Sequence, residues 1–546
     1  VKNWFIETRP AYPPMTRIWK TQVAPGSSFV LEPEALTSLT ADTVSVQAVL
    51  GAEPPINLAD HISQLMAYPY GCLEQTVSGL FPHVLLSGED FDALGLKTGT
   101  PEEKQTKIRL GIQRLLEKQK SSGGFGLWSA TSPESAWLTA YAVHFFINAD
   151  AAGYEVPESA VLKAVKRLTV YVRRPGSIPY RGYVNRNAYR ASVRAYAAVA
   201  LARIQSLSLG DARSVFNYVK KHGKSPLAPV QAGVALSLAG DRHAAVKAFD
   251  LAIKTPRDRN TYIGDYGSNV RDFAAAYYFL ATYYPEYRNK ALFIYELDAA
   301  LKEREWLSTQ ERNALVMAGS ARLSVDGEPW KAELSLGSKN EASQTDTMTG
   351  KKSGQVVFTR GIAADGFEIK NTGTSTLYTN VVLAGYPNTM PRAQSSGVSI
   401  SRRFLNTRGE PADAASVVSG DRLIVELTVR PDKRMPHALV VDMLPAGLEL
   451  EDPNVSGAFL IDDVMVDKKR IGDWHQNYET AHTEYRDDRF VAALDINRRQ
   501  TCRIFYGVRV VSPGRFKVPS PMVEDMYRPY VRGVGKTLEV MEVSGK

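Results

Sequence analysis

"QKSSGGFGLW" at residues 119–128 is followed, after a short polar stretch, by "SAWLTAYAVHFFINADAAG" at 135–153. The first string is a glycine-rich turn with an aromatic plug, of the kind closed α/α toroids use between helices. The second has apolar residues at a spacing of three to four, as a helix requires. From about Asn57 to about Leu323 the apolar spacing is three to four, so the block is helical. Its segments come in pairs: 107–120 with 135–153, 157–174 with 189–207, 211–223 with 229–253, and 269–284 with 288–303. Each helix carries an apolar face too wide for a free-standing hairpin, so stacked pairs must share one core, and the turn at 119–128 favours a ring over an open superhelix.

Outward from this block the period changes to two. "TRIWKTQVAPGSSFVLEP" (16–33) and "DTVSVQAVLG" (42–51) read as strands before it. "KAELSLG", "QVVFTRG", "DGFEIKNTG" and "LYTNVVLAG" read as strands after it, closed by a proline-containing stretch at 385–397. The first β piece is too short to fold alone, so residues 1–57 and 326–394 are expected to form one sheet domain with the helical block 58–325 inserted in it. Short strands at regular spacing over 395–546, among them "DRLIVELTVRP" and "TCRIFYGVRVV", predict a second β-sandwich. The fold class is multidomain α plus β, as 546 residues with 44% hydrophobic and 23% charged composition allow. No apolar run approaches the roughly 18 residues that span a bilayer. The opening "VKNWFIETRP" lacks a Met start and a signal-type apolar segment, so the chain is expected to be a processed product or a fragment.

The net charge is +8, and the excess is local: Lys163 to Lys224 holds fourteen Lys or Arg and one acid, Asp211. Tyr171, Tyr180, Tyr183, Tyr189 and Tyr196 are interleaved there, a pattern that nucleic-acid binding by phosphate contact and stacking could use. A solvated outer face of a helical array accounts for it more simply, and no nucleic-acid partner is expected. A weak attraction to acidic partners is a third reading.

The chemistry centres on "YPYGCLEQT", residues 68–76. Four readings are open for Cys72: a packed helix end, a catalytic thiol, a metal ligand, or a cysteine joined covalently to Gln75. The eight histidines (61, 83, 144, 222, 243, 437, 475 and 482) show no metal-ligand spacing, and no metal or cofactor is expected. A cysteine hydrolase would need His61 or His83 as base, with no known nucleophile motif around either. A carboxylate enzyme built on an α/α ring would need paired acids, and the nearest cluster, Glu89, Asp90 and Asp92, falls in an expected interhelix loop. Cys502 reads as a small buried strand thiol. If a helix starts at or just after Gly71, side chains three apart share a face, and the Cys72 sulfur reaches the Gln75 carboxamide carbon. A first-turn cysteine feels the positive end of the helix dipole, which favours thiolate, and loss of ammonia would leave an internal thioester. Such a bond must be kept dry. Tyr68 and Tyr70 are the local candidates, with Gly71 letting backbone and rings approach the sulfur.

"YGCLEQT" resembles the thioester motif of the α2-macroglobulin and complement family, and with Tyr before Gly and Leu after Cys it is similar to the bacterial members. "GGFGLW" and "SAWLTAYAVHFF" resemble their thioester domain, an α/α toroid. The flanking strands resemble the CUB domain that holds it, and "YGVRVVSPGRFKVPSPMVEDMY" resembles their last macroglobulin-like sandwich. The resemblance implies Cys72 as thioester sulfur, Gln75 as acyl carbon, and Glu74 as a motif residue of underived role. It implies a single-use protease inhibitor: a protease cuts a bait region, the molecule rearranges, and a surface lysine of the protease attacks Gln75. Upstream macroglobulin and bait domains, a periplasmic location with a lipid anchor to the inner membrane, and association with a peptidoglycan-building penicillin-binding protein are implied in the same way. Relatives that acylate hydroxyls use a histidine on a later helix of the toroid. Here none lies between His144 and His222, so amines are the expected nucleophiles. The alternatives are the carboxylate enzyme, and an interaction module whose motif forms no bond.

Overall fold

In the computed structural model the described residues are 12–545, apart from 13, 68–70, 98, 183, 259–261, 324–326, 337–343, 360–365, 391 and 475–477. Three strands come first, β1 (Met15–Val23), β2 (Ser28–Leu31) and β3 (Ser45–Gly51), with a short helix α1 (Pro33–Thr37) between the last two. The helical block follows: α2 (Leu58–Ala67), α3 (Leu73–Leu85), α4 (Gly88–Ala93), α5 (Pro101–Leu116), α6 (Ala136–Ala151), α7 (Glu158–Arg173) and α8 (Arg186–Arg203). It continues with α9 (Leu209–His222), α10 (Leu227–Leu238), α11 (Arg242–Ile253), α12 (Asn269–Tyr283), α13 (Ala291–Lys302) and α14 (Thr309–Ser320). Strands β4 (Trp330–Leu336), β5 (Gln344–Gly350), β6 (Gly354–Thr359), β7 (Phe367–Asn371) and β8 (Leu377–Gly385) then return to the first three.

Six of the helices form a closed inner ring. α3 packs on α6, α6 on α8, α8 on α10, α10 on α12, α12 on α14, and α14 returns to α3. The residue pattern explains the division into inner and outer helices. On α6 every residue from Ala136 to Phe146 is buried. On outer helices only a stripe is buried, as with Ala212, Val215 and Val219 of α9. The ring's axis is filled with aromatic side chains: Trp137 lies 5.4 Å from Tyr141 and 5.3 Å from Tyr196, ring centre to ring centre. The cavity among them holds only about 20 Å³. The turn at 119–128 closes as its composition predicts. Gly123 has φ +86°, and a Cβ there would collide with the Lys163 carbonyl, while Phe125 plugs the core and its N–H is held by Thr139 Oγ1 at 3.0 Å.

Two details differ from the sequence reading. The segment 229–253 is two helices, because Gly240 takes φ +98° and Asp241 caps the next helix by accepting the Ala244 N–H at 3.0 Å. The acids Glu89, Asp90 and Asp92 lie on the helical turn α4 instead of a loop, where Asp90 completes a capping box with Ser87.

The strands on either side of the toroid interleave. One sheet has the order β1-β8-β3-β6 and the other β2-β7-β4-β5, over a shared core that includes Val46, Leu50, Trp330, Ile369 and Leu383. The toroid is thus inserted between β3 and β4 of a CUB-type sandwich. Most of the remaining strands form the two main sheets of a macroglobulin-like sandwich. One sheet runs 398–405, 422–431, 502–510, 448–451, and the other 479–486, 489–496, 435–443, 522–525, 528–534, 394–396.

The basic segment runs from α7 through the inner helix α8 to α9, and of its tyrosines Tyr171, Tyr189 and Tyr196 are buried in the core while Tyr180 is exposed. Tyr183 lies outside the described residues. The buried rings are unavailable as a base-stacking platform.

The loop between α11 and α12 is held by a buried ionic quartet. Arg257 pairs with Asp265 at 2.8 Å and Asp272 at 2.7 Å, and Arg271 pairs with the same two at 3.1 and 2.7 Å. Removing one member strands buried charge, so Asp272→Ala is expected to cost about 3–5 kcal/mol in urea denaturation. Arg213→Ala, which removes an exposed pair with Asp241, is expected to cost under about 1 kcal/mol. Equal small losses would show that the quartet does not hold this loop.

Candidate functional site at the N-terminus of helix α3

Helix α3 starts where the spacing requires. Cys72 is its N-cap, with φ −64° and ψ 162°, and Gln75 is the third helical residue. The Gln75 N–H donates to Cys72 Sγ at 3.4 Å, and the Cys72 N–H donates to Gln75 Oε1 at 3.3 Å. This is a reciprocal capping box, with thiol and carboxamide in the places usually taken by hydroxyl and carboxylate. The Cys72 N–H rests on the oxygen that would carry negative charge if sulfur attacked the Gln75 carbonyl carbon, as an oxyanion donor must. The helix start is docked on the 119–128 turn, where the Leu73 N–H meets the Leu127 carbonyl at 2.8 Å.

Cys72 is fully buried and Gln75 nearly so, and part of the cover comes from the far end of the chain. Gln75 Nε2 donates to Met526 Sδ at 3.3 Å, and Tyr527 Oη lies 3.9 Å from Cys72 Sγ. These two residues form the tip between strands Met522–Asp525 and Arg528–Val534. Asp525 holds the tip by accepting the Tyr527 and Arg528 N–H groups, both at 3.1 Å, while the Met526 N–H reaches the His437 carbonyl at 3.0 Å. Tyr527 is wedged edge-on against Tyr266 at 4.6 Å and His437 at 5.1 Å. Burial lowers His437 to about 4, so its ring is neutral at physiological pH. Tyr266 sits on the loop braced by the ionic quartet and has φ +56°, an uncommon conformation for a bulky residue.

Electrostatics correct one expectation. Burial, and after it the Glu74 carboxylate, push the Cys72 thiol well above its ordinary value, despite the hydrogen bonds from Gln75 and Tyr527. Desolvation outweighs the helix dipole, and the free thiol is neutral and unreactive while covered. Glu74 acquires a structural role. It is fully buried and accepts hydrogen bonds from Ser78 Oγ (2.5 Å), Thr309 Oγ1 (2.5 Å) and Gln310 Nε2 (2.7 Å), which ties α3 to α14 where the ring closes. Burial raises its pKa.

Of the residues singled out from sequence, Cys72, Glu74 and Gln75 meet at this helix start. Tyr68 and Tyr70 lie outside the described residues. Gly71 is exposed, and among the described residues nothing stands within 4 Å of where its Cβ would be, so they show no close approach that requires glycine. Neither His61 nor His83 is among the described contacts of Cys72. His61 stands with Asp60 and Arg312, His83 stacks on Phe91, and burial keeps both neutral. Cys502 is a buried strand residue opposite Val429, pushed up to about 12 by burial. Among the described residues no group of three or more His, Cys, Asp or Glu could hold a metal ion.

Sequence reasoning missed Met526, Tyr527, Thr309 and Gln310. The last two were within reach, since "STQE" at 308–311 is a capping-box signature that marks the start of α14. Nothing in the alternation around "EDMY" distinguishes the tip that covers Cys72.

Comparison with known proteins places these features together. A family model of the A-macroglobulin TED domain matches residues 43–260, and one of the bacterial Alpha-2-macroglobulin MG10 domain matches 397–529. Alpha-2-macroglobulin of Escherichia coli K12 is 36% identical over 99% of this chain and 32% of its own length. That of Xylella fastidiosa Temecula1 is 30% identical over 94% and 31%. The chain therefore spans about a third of the length of these relatives. The crystal structure of native E. coli alpha-2-macroglobulin from domain MG7 to the C-terminus superposes with a TM-score of 0.91 at 35% identity, covering 98% of this chain and 83% of that one. The structure of Salmonella alpha-2-macroglobulin reacted with methylamine superposes at 0.89 with 35% identity, covering 98% and 34%. By sequence and by fold, the chain belongs to the bacterial alpha-2-macroglobulin family and matches the C-terminal part of its members.

Proposed function

We propose that this chain is the covalent arm of a protease trap. The Cys72 thiol displaces ammonia from the Gln75 carboxamide, and the resulting thioester waits under the sandwich tip. When the tip lifts, a lysine amine of a bound protease attacks the Gln75 carbonyl carbon. The carbon–sulfur bond breaks, sulfur takes the proton lost by nitrogen, and the protease is left amide-linked to the chain. Each molecule reacts once, so the chemistry is that of an inhibitor and does not turn over. The observation that carries this reading is the placement of thiol and carboxamide in one capping box, buried together beneath Met526 and Tyr527.

The environment supports a waiting bond. The same desolvation that raises the thiol's pKa makes thiolate a poor leaving group, so a covered thioester resists attack. Exposure to water restores ordinary thiol acidity and with it reactivity. Amines are the preferred nucleophiles, because the 77 residues between His144 and His222 supply no imidazole to activate a hydroxyl. In the whole protein the bait and macroglobulin domains would lie upstream, and the setting we propose is the periplasm, with a lipid anchor to the inner membrane and a penicillin-binding protein as a neighbour.

Isotope-labelled methylamine is expected to enter the native chain at Gln75 alone, as read by peptide mass spectrometry, and not to enter Cys72→Ala. Absence of label at Gln75 would favour an interaction module with no bond. The cover is tested by Tyr527→Ala. Losing a buried aromatic worth about 1.5–3 kcal/mol is expected to speed spontaneous thioester hydrolysis about ten- to a hundredfold. Tyr530→Ala, which alters an exposed ring three residues on, is expected to leave the rate within about twofold. Equal hydrolysis rates in the two variants would remove Tyr527 from the shield.

A further inference from the structure

Two buried polar networks end at the same small cavity on the toroid's axis. One begins at Glu74, which accepts from Ser78 Oγ at 2.5 Å. Ser78 Oγ in turn meets Tyr141 Oη at 2.7 Å, and Asn313 Nδ2 donates to Tyr141 Oη at 2.6 Å. The other is the ionic quartet, in which Arg271 pairs with Asp265 through Nη2 and with Asp272 through Nε. Asn313 and Arg271 both line the cavity of about 20 Å³, and so does Gln231. Each of the three residues is 2% exposed. Among the described residues Asn313 Oδ1, Arg271 Nη1 and Gln231 Nε2 find no hydrogen-bond partner, and groups so buried are costly unless something bonds to them.

We propose that this cavity is a binding site for one water molecule, which accepts from Gln231 Nε2 and Arg271 Nη1, donates to Asn313 Oδ1, and joins the two networks across the axis. The direction of the hydrogen bonds selects the ligand. Ser78 has one hydroxyl hydrogen and directs it to Glu74, so Tyr141 is the donor in its bond with Ser78. Tyr141 Oη can then only accept, and Asn313 must face it with Nδ2, whose second hydrogen points to Met317 Sδ at 3.8 Å. The Asn313 oxygen is left as an acceptor beside two donors. An anion would be repelled by that oxygen and a cation by the two N–H groups, whereas water is donor and acceptor at once. The volume exceeds the roughly 10–15 Å³ that a water needs, and about three bonds is usual for a buried one. The joined network touches α3, α6, α10, α12 and α14, five of the six inner helices. It runs from the first turn of α3 to the loop that bears Tyr266, and it does not depend on whether the thioester forms.

A high-resolution crystal structure of the chain is expected to show one density peak within hydrogen-bond distance of all three atoms. A dry cavity, or Gln231 turned to bond Asn313 directly, would overturn the proposal. An anomalous peak in the cavity of crystals soaked in bromide would overturn the choice of water over an anion. Stability gives a test by sign. Gln231→Met keeps the length of the side chain and removes the donor, so with water bound it is expected to lower Tm by about 2–4 °C. In a dry cavity the same change removes an unsatisfied buried amide, and an unchanged or raised Tm would overturn the proposal. Should the variant fail to fold, the crystal structure of the parent chain decides alone.

Discussion

Burial of one helix N-terminus is the constraint on which the rest of the structure depends. A thiol and a carboxamide three residues apart can be placed in reach of each other by any short helix. Keeping their product intact in water is harder, because an acyl–sulfur bond is activated toward every passing nucleophile. Helix α3 meets that requirement by being an inner member of a closed ring, with its first turn facing the ring's mouth. The mouth is covered by a hairpin tip from a domain more than 450 residues along the chain. The toroid, the sandwich and the braced loop bearing Tyr266 can all be understood as parts that bring Met526 and Tyr527 over Cys72 and hold them there.

The same burial supplies the control. In a dry site the thiol is driven away from ionisation, so a bond from its sulfur has a poor leaving group. On the proposed reading, the reactivity of the site is set by where the last sandwich sits, which is a domain arrangement and not a local chemical property. Glu74 fits this division of labour. It is spent on closing the ring through Thr309 and Gln310, which fixes the helix that presents the reacting pair.

Much of this was legible in the sequence because it depends on local spacing. The three-to-four periodicity from 57 to 323, the turn at 119–128 and the alternation on either side specify helices, ring and sheets without long-range information. The helix start after Gly71 was legible for the same reason. What could not be read was contact between distant segments. No pattern around Met526 or Tyr527 marks them as partners of residues 72 and 75, and no spacing shows that Glu74 reaches α14. The expected thiolate failed for a related cause: the helix dipole is local and visible in sequence, while desolvation depends on how everything else packs. Helix α11 was hidden inside a longer apolar run, because the break at Gly240 lies in its backbone conformation and is short.

The central claim is a covalent bond between Cys72 and Gln75, and the most direct measurement is the intact mass of the denatured chain together with its count of free thiols. The account predicts one thiol, that of Cys502, and a mass lower than the sequence mass by one ammonia. Two thiols and the full sequence mass would contradict it.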